Sequence, residues 1–381
     1  MIKYLGSKRT LLPVIVDAVR DVAARTGATT VSDLFAGTSR VGMALKHASG
    51  GGFRVLANDH NAYAHALARC YIEADAEDVL DDARKLVDEF NALPGRPGYF
   101  TATFCENARF FHPSNGERID AVREAIAAKG LPPDLEAVML VSLMEAADRV
   151  DSTTGVQMAY LKSWAPRAKN PLLLRVPELL PRAAGGKGAA FCLDAFEAAK
   201  QLEADIAYID PPYNQHSYLG NYHVWESLVR WDKPEVFGIA CKRVDVKARR
   251  SVFNSRPQSQ PALARLFEEV RSPVLVVSFN DEGFISRGMM EETLTSMWGG
   301  QAVVRTIAVD SKRYVGAKIG IHNPKGEKVG TVKHLTNTEF VFVVGRSREI
   351  VLGPGRAREG GPRVFIPRRE VEAAVEPQTP A

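Results

Sequence analysis

Residues 204–213, ADIAYIDPPY, constrain this chain more than any other stretch. The apolar run ending at Ile209 reads as a buried strand. Two prolines after Asp210 stop it, because neither Pro211 nor Pro212 can donate a backbone N–H to a ladder. Each proline also biases the residue before it toward extended geometry, so Asp210 to Tyr213 forms a stiff segment. A strand halted behind a carboxylate suits a reaction site on a rigid sheet better than it suits a hinge.

The rest of the chain supplies that sheet. LLPVIVDAVRDVAARTG has apolar residues at helical spacing and a C-capping Gly27, which predicts a first helix from about Leu11 to Thr26. TTVSDLFAG and FRVLANDHN are short apolar runs separated by the helical pattern SRVGMALKHA, giving strand, helix, strand. Residues 71–185 change to helical patterns broken by Pro and Gly. Strand patterns return at GAAFCLDAF, DIAYIDPPY, SPVLVVSFN, QAVVRTIAV and TEFVFVVG. This alternation predicts an α/β fold with a doubly wound, mainly parallel sheet, whose ligands lie beyond the carboxyl ends of the strands. Residues 1–70 and 186–346 then form the two parts of one catalytic domain, 71–185 a helical insertion, and 347–381 a tail without fixed structure.

Composition narrows the chemistry. With a formal charge of +4 over 381 residues, affinity for a polyanion must come from local clusters of Lys and Arg. Cys70, Cys105, Cys192 and Cys241 are far apart and form no C-x-x-C pair, so neither a zinc site nor a disulfide framework is expected. That points to a reducing, cytoplasmic setting and to no metal. The start, MIKYLGSKRT, lacks a secretory apolar region, and no run approaches the roughly 18 apolar residues of a membrane span.

Asp33 and Asp59 end the first two strand patterns, and the turn FAGTSRVG follows the first, with Gly37 and Gly42 before a helix. Such a turn either is merely tight or lets a ligand approach the backbone, with the acid after the next strand facing ribose hydroxyls. The spacing is not G-x-G-x-x-G, which disfavours a pyrophosphate. KYLGSK places Tyr4, Gly6 and Lys8 just before the first helix, where Ser7 or Thr10 could simply cap it.

DPPY arises by chance in roughly one chain of this length in several hundred. With KYLGSK first, DLFAGTSRVG and LANDHN next, and DPPY late after a long insertion, the chain resembles the Dam-like DNA adenine methyltransferases over roughly residues 1–346. The family often has Trp and a second Gly where this chain has Tyr4 and Ser7. The resemblance implies a Rossmann-like class I methyltransferase fold and S-adenosylmethionine as cofactor. It implies cofactor contacts at Tyr4, Lys8, Asp33, Phe35, Gly37 and Asp59, with Asp194 of CLDAF a further acidic contact. Asp210, Pro211, Pro212 and Tyr213 would receive the target base.

The chemistry agrees with that implication. An exocyclic adenine amine is a poor nucleophile because its lone pair is delocalised into the ring. Acceptance of its two hydrogens by the Asp210 carboxylate and the Pro211 carbonyl draws the nitrogen toward tetrahedral geometry. The base must leave the duplex to reach such a turn, and Tyr213 offers a ring to stack on. Residues 241–256 carry six Lys or Arg against one acid and residues 305–333 seven against two. Arg249, Arg250, Lys325 and Lys328 are therefore candidate phosphate contacts. Expected partners are double-stranded DNA and, as a further candidate, a cognate restriction enzyme. N4-cytosine methylation, an RNA substrate and an inactive binding module remain alternatives; a nicotinamide dehydrogenase lacks its fingerprint.

Overall fold

The structure is a computed structural model, and it describes residues 1–6, 8–48, 50–280, 283–312, 321–322, 328–330, 336–353 and 364–366. Its strands in chain order are β1 (Thr30–Asp33), β2 (Arg54–Asn58), β3 (Ala189–Phe191), β4 (Ile206–Ile209), β5 (Val236–Phe237), β6 (Lys242–Arg243), β7 (Val274–Asn280), β8 (Val303–Lys312), β9 (Ile321–His322), β10 (Lys328–Gly330), β11 (Thr336–Gly345) and β12 (Val364–Ile366). Eight of them form one sheet in the order β12-β8-β11-β7-β4-β1-β2-β3. β3, β2, β1, β4 and β7 pair in parallel, and β11 runs antiparallel to both β7 and β8. The chain winds outward from β1 in one direction and from β4 in the other. The crevice beyond the carboxyl ends of β1 and β4 is thus the topological switch point, where a doubly wound sheet binds its ligands. This is the α/β, doubly wound, mainly parallel architecture expected from the sequence.

Strand side chains alternate between two covers, as a period of two requires. Ile206, Tyr208, Val274 and Val276 join a core with the first helix and the helices of residues 71–149. Ala207, Ile209, Leu275, Val277 and Phe279 join another with the helices Ala195–Gln201, Arg256–Glu269 and Arg287–Gly300. The helices Ala76–Ala92, Pro113–Lys129 and Pro133–Arg149 lie in the stretch read as an insertion, and they share one continuous core with the sheet.

Two expectations change. The first helix runs Leu12–Thr26; Leu11 takes the capping position without a side-chain bond and Pro13 sits in the first turn, so Thr10 is no cap. Its end is as read, with Gly27 left-handed at φ 73°. The segment expected to lack fixed structure from residue 347 begins instead with a helix, Arg348–Leu352, whose Ser347 Oγ accepts from the Ile350 N–H and whose Val351 and Leu352 are buried. Further on, β12 pairs in parallel with β8. Five residues are too few for helical periodicity to show in sequence, which is why the helix was not legible.

Candidate active site

The site is assembled from the ends of β1, β2 and β4. Asn58, the buried last residue of β2, donates to the Leu34 and Leu193 carbonyls and accepts from the Leu193 N–H, which ties together the chain leaving β1, β2 and β3. Behind this brace lies a cavity of about 560 Å³. It is lined by every residue for which a cofactor contact was expected: Tyr4, Lys8, Asp33, Phe35, Gly37, Asp59 and Asp194. Asp210 and Pro212 line it too, whereas Pro211 and Tyr213 lie outside its wall.

Gly37 shows why the turn after β1 needs glycine. Its φ is 53°, and a Cβ there would come within 3.3 Å of the Tyr4 ring. Its N–H donates to Asp59 Oδ2 at 3.0 Å, while Asp59 Oδ1 accepts from the Asn61 backbone and side chain. Burial pushes the Asp59 carboxyl up; these bonds from Asn61 and Gly37 oppose that. Tyr4 stacks on Tyr222, at 4.6 Å between ring centroids, and on Tyr218, at 5.3 Å. Asp194 is a helix cap on the cavity wall, its Oδ1 accepting from the Phe196 N–H.

Asp33 is 1% exposed, and its Oδ1 has no hydrogen-bond partner among the described residues. Burial, followed by the nearby Asp210 charge, pushes its carboxyl well above the usual carboxylate range. A buried acceptor without a donor is costly, so its natural complement is a ligand donor.

At the turn, Lys8 Nζ pairs with Asp210 Oδ1 at 2.9 Å, and Ser278 Oγ donates to the same oxygen at 2.9 Å. Tyr208 holds Ser278 in turn, hydroxyl to hydroxyl, at 2.8 Å. Burial works against the Lys8 charge, yet the Asp210 carboxylate, with Tyr213 and Tyr208, holds the ammonium well above its ordinary value. Both contacts converge on Oδ1. Lys8 Nζ also lies 5.6 Å from the Tyr213 ring centroid. The Tyr213 carbonyl accepts from the Phe284 N–H, and a Cβ on Gly283 would meet that oxygen at 2.1 Å, so the backbone at 283–284 packs directly on the turn.

Several site residues were missed in the sequence. Phe196 and Phe253 join the expected Phe35 in an aromatic wall, Phe253 meeting Phe35 edge-on at 5.4 Å and Phe196 stacked on Phe253 at 5.7 Å. Phe196 follows Asp194 by two residues and was within reach of the motif, but Phe253 comes from a distant loop. Glu226 is fully buried; its Oε1 accepts from Arg249 at 2.8 Å and its Oε2 from the Tyr63 N–H at 3.2 Å.

Arg249 was expected on DNA phosphate. In the structure its guanidinium pairs with Glu226 at 2.8 Å and approaches Asp245 at 3.6 Å, which braces the cavity wall. Arg250, by contrast, is exposed on that wall. Lys328 opens β10, which pairs with β9, and Lys325 lies outside the described residues. No group of side chains suited to a metal ion occurs among the described residues, and none of their helices is long and apolar enough to cross a membrane.

Comparison with known proteins gives the same reading. The chain is 30% identical over 346 residues to a type II methyltransferase, M.NlaIII, of Neisseria lactamica, covering 88% of this chain and 99% of that one. It is 26% identical to a type II methyltransferase, M.CviAII, of Paramecium bursaria Chlorella virus 1, over 80% of this chain and 91% of that one. With the modification methylase StsI of Streptococcus sanguinis it shares 29% identity over 77% of its length, which is 46% of that protein. The solved structures yield no significant match. The model of the D12 class N6 adenine-specific DNA methyltransferases matches residues 4–270, from the Tyr4 stack through the Asp210 turn and past Phe253, and the chain belongs to that family.

Proposed function

We infer that this site-specific adenine DNA methyltransferase draws its methyl group from S-adenosylmethionine held in the cavity behind Asn58, and that it receives a flipped adenine at the Asp210 turn. One observation carries the cofactor reading: a buried, unpartnered Asp33 oxygen shares a single cavity with an aromatic wall, which suits a ligand having both an ammonium and a nucleobase. When bound, S-adenosylmethionine supplies an electrophilic methyl on a sulfonium. Asp33 accepts from the ammonium, Asp59 and Asp194 face the ribose and base edges, and Phe35, Phe196 and Phe253 flank the ring. Tyr4 and Gly37 shape the turn between them.

At the reaction turn, Lys8 and Ser278 hold Asp210 by Oδ1 and direct Oδ2 to the adenine amine. The Pro211 carbonyl takes the second hydrogen and the Tyr213 ring the base face. Lys8 thus acts on the carboxylate, a different role from the cofactor contact its motif implies. A charge-assisted hydrogen bond contributes about 1.5–3 kcal/mol, and the rest of the acceleration comes from alignment. The helices of residues 71–185 are the candidate readers of flanking bases, and exposed Arg250 a phosphate contact. A double-stranded DNA substrate supports a cytoplasmic setting. The modification methylases among its relatives support a modification role, and a cognate restriction enzyme is the partner such a role calls for.

Calorimetry with Asp33→Asn tests the cofactor assignment. The raised carboxyl means folding favours the neutral acid. That contribution is complete below the ordinary carboxylate range and is lost as pH rises through the raised value. At neutral pH the ligand-free fold therefore carries a cost that Asn removes. The variant should melt a few degrees higher than the parent without ligand, yet bind S-adenosylmethionine about tenfold to a hundredfold more weakly. Unchanged affinity would remove Asp33 from the cofactor site.

A further inference from the structure

Between the Asp210 turn and the Arg249 wall the chain makes a short hairpin of β5 and β6, with Val236 opposite Arg243 and Phe237 opposite Lys242. Its turn is closed by the Cys241 N–H donating to the Gly238 carbonyl at 3.0 Å. Gly238 and Cys241 are both left-handed, at φ 69° and 46°, and for cysteine that backbone is strained. Ala240 and Cys241 fold inward and are buried, while Ile239 at the apex is 82% exposed. An isolated exposed aliphatic on a surface is ordinary. Here, however, the backbone is bent so that one β-branched side chain points outward from a turn whose next two residues are covered.

The hairpin is also rigidly rooted beside the cavity. Arg243, almost fully buried, forks onto Asp232 at 2.7 and 2.8 Å and onto Asp245 at 3.0 Å. Asp245 in turn approaches Arg249 of the cavity wall at 3.6 Å, so one carboxylate joins the hairpin root to the site. The Tyr99 hydroxyl donates to the Pro234 carbonyl at the hairpin's entry. Lys247 lies over the ring of Phe237, two residues before the apex, at 5.1 Å, and exposed Arg250 follows on the cavity wall.

A stiff prong that carries a lysine on its strand and ends in one aliphatic side chain fits a DNA duplex. Apolar side chains of this kind enter between base steps and unstack them, and a base drawn from the stack leaves a gap that such a side chain fills. We propose that Ile239 is the wedge that this enzyme inserts into the base stack beside the extruded adenine. The proposal rests on the reading that the target base is flipped into the Asp210 turn, and it adds the residue that holds the duplex open.

The test compares Ile239→Ser and Ile239→Ala in the full chain on two duplexes carrying its methylation site. One is fully paired, and the other has an abasic nucleotide opposite the target adenine, so extrusion needs no wedge. On the paired duplex kcat/KM should fall about tenfold for Ser and less for Ala, and 2-aminopurine at the target should brighten less. On the abasic duplex both variants should stay within about twofold of the parent. Equal losses on both duplexes would show a merely structural role, and no loss on the paired duplex would leave Ile239 idle; either overturns the wedge. Conversion of a dimer to a monomer by the substitution would assign the apex to a second copy and overturn it as well. If the unaltered chain methylates neither duplex, the methyltransferase reading falls and the wedge with it; if it methylates both and the variants match it, only the wedge falls.

Discussion

Asp210→Ala should lower methyl transfer to DNA by a factor on the order of a thousand or more, while S-adenosylmethionine still binds. The carboxylate is the acceptor that raises the nucleophilicity of the amine, and nothing among the described residues duplicates it: Asp33 is buried below it, and Asp59 is occupied by Gly37 and Asn61. The alanine variant also strands the Lys8 ammonium, which is 6% exposed, and breaking such a pair costs about 3–5 kcal/mol of stability. Asp210→Asn separates the two effects. It keeps shape and one acceptor oxygen but loses the charge, so its melting temperature should lie nearer the parent's while transfer remains severely impaired. Single-turnover rates with calorimetry on the same samples check this. Full turnover by the asparagine variant would remove the carboxylate charge from the mechanism.

Glu226→Ala should be the most damaging substitution outside the reaction turn. The Glu226 carboxylate is fully enclosed and joins the Tyr63 N–H, at the start of the helix after Asp59, to Arg249 of the cavity wall. Removing it leaves a largely buried guanidinium without its closest partner and frees the wall, at a cost of about 3–5 kcal/mol. The expected result is a marked fall in melting temperature together with a raised KM for S-adenosylmethionine. Replacing both partners, as Glu226→Gln with Arg249→Met, should recover much of the stability, because no unpaired charge then remains. A double variant no more stable than Glu226→Ala alone would show that the pair does not act as a unit.

The strand ends were legible because each is an apolar run closed by a polar residue, Asp33, Asn58 or Asp210, and a parallel sheet brings such ends together. From that, the cavity wall followed: Tyr4, Gly37 and Asp59 meet where the motif order implied. What sequence could not show is which charges neutralise one another. Arg249 sits in a basic run and looks free, but its partner Glu226 is a single acid in the helix His223–Arg230, 23 positions earlier. Lys8 reads as part of a cofactor motif, and only the fold brings it to Asp210, 202 positions away. Phe253 and Ser278 carry no local signal at all, since an aromatic in a loop and a serine in a buried strand acquire meaning only from the neighbours that the sheet supplies. The Ser347-capped helix escaped for a different reason: at five residues it is too short to repeat a pattern.

The central claim is that one adenine amine, extruded from duplex DNA, is methylated at the Asp210 turn within a defined sequence. Expression of the chain in a host without endogenous DNA methylation, followed by single-molecule sequencing of the host DNA, measures this directly. The structure and its family predict N6-methyladenine at nearly every copy of one short sequence, and none in the parallel culture carrying Asp210→Ala. Methylated cytosine, or N6-methyladenine scattered over adenines with no shared sequence, would contradict it.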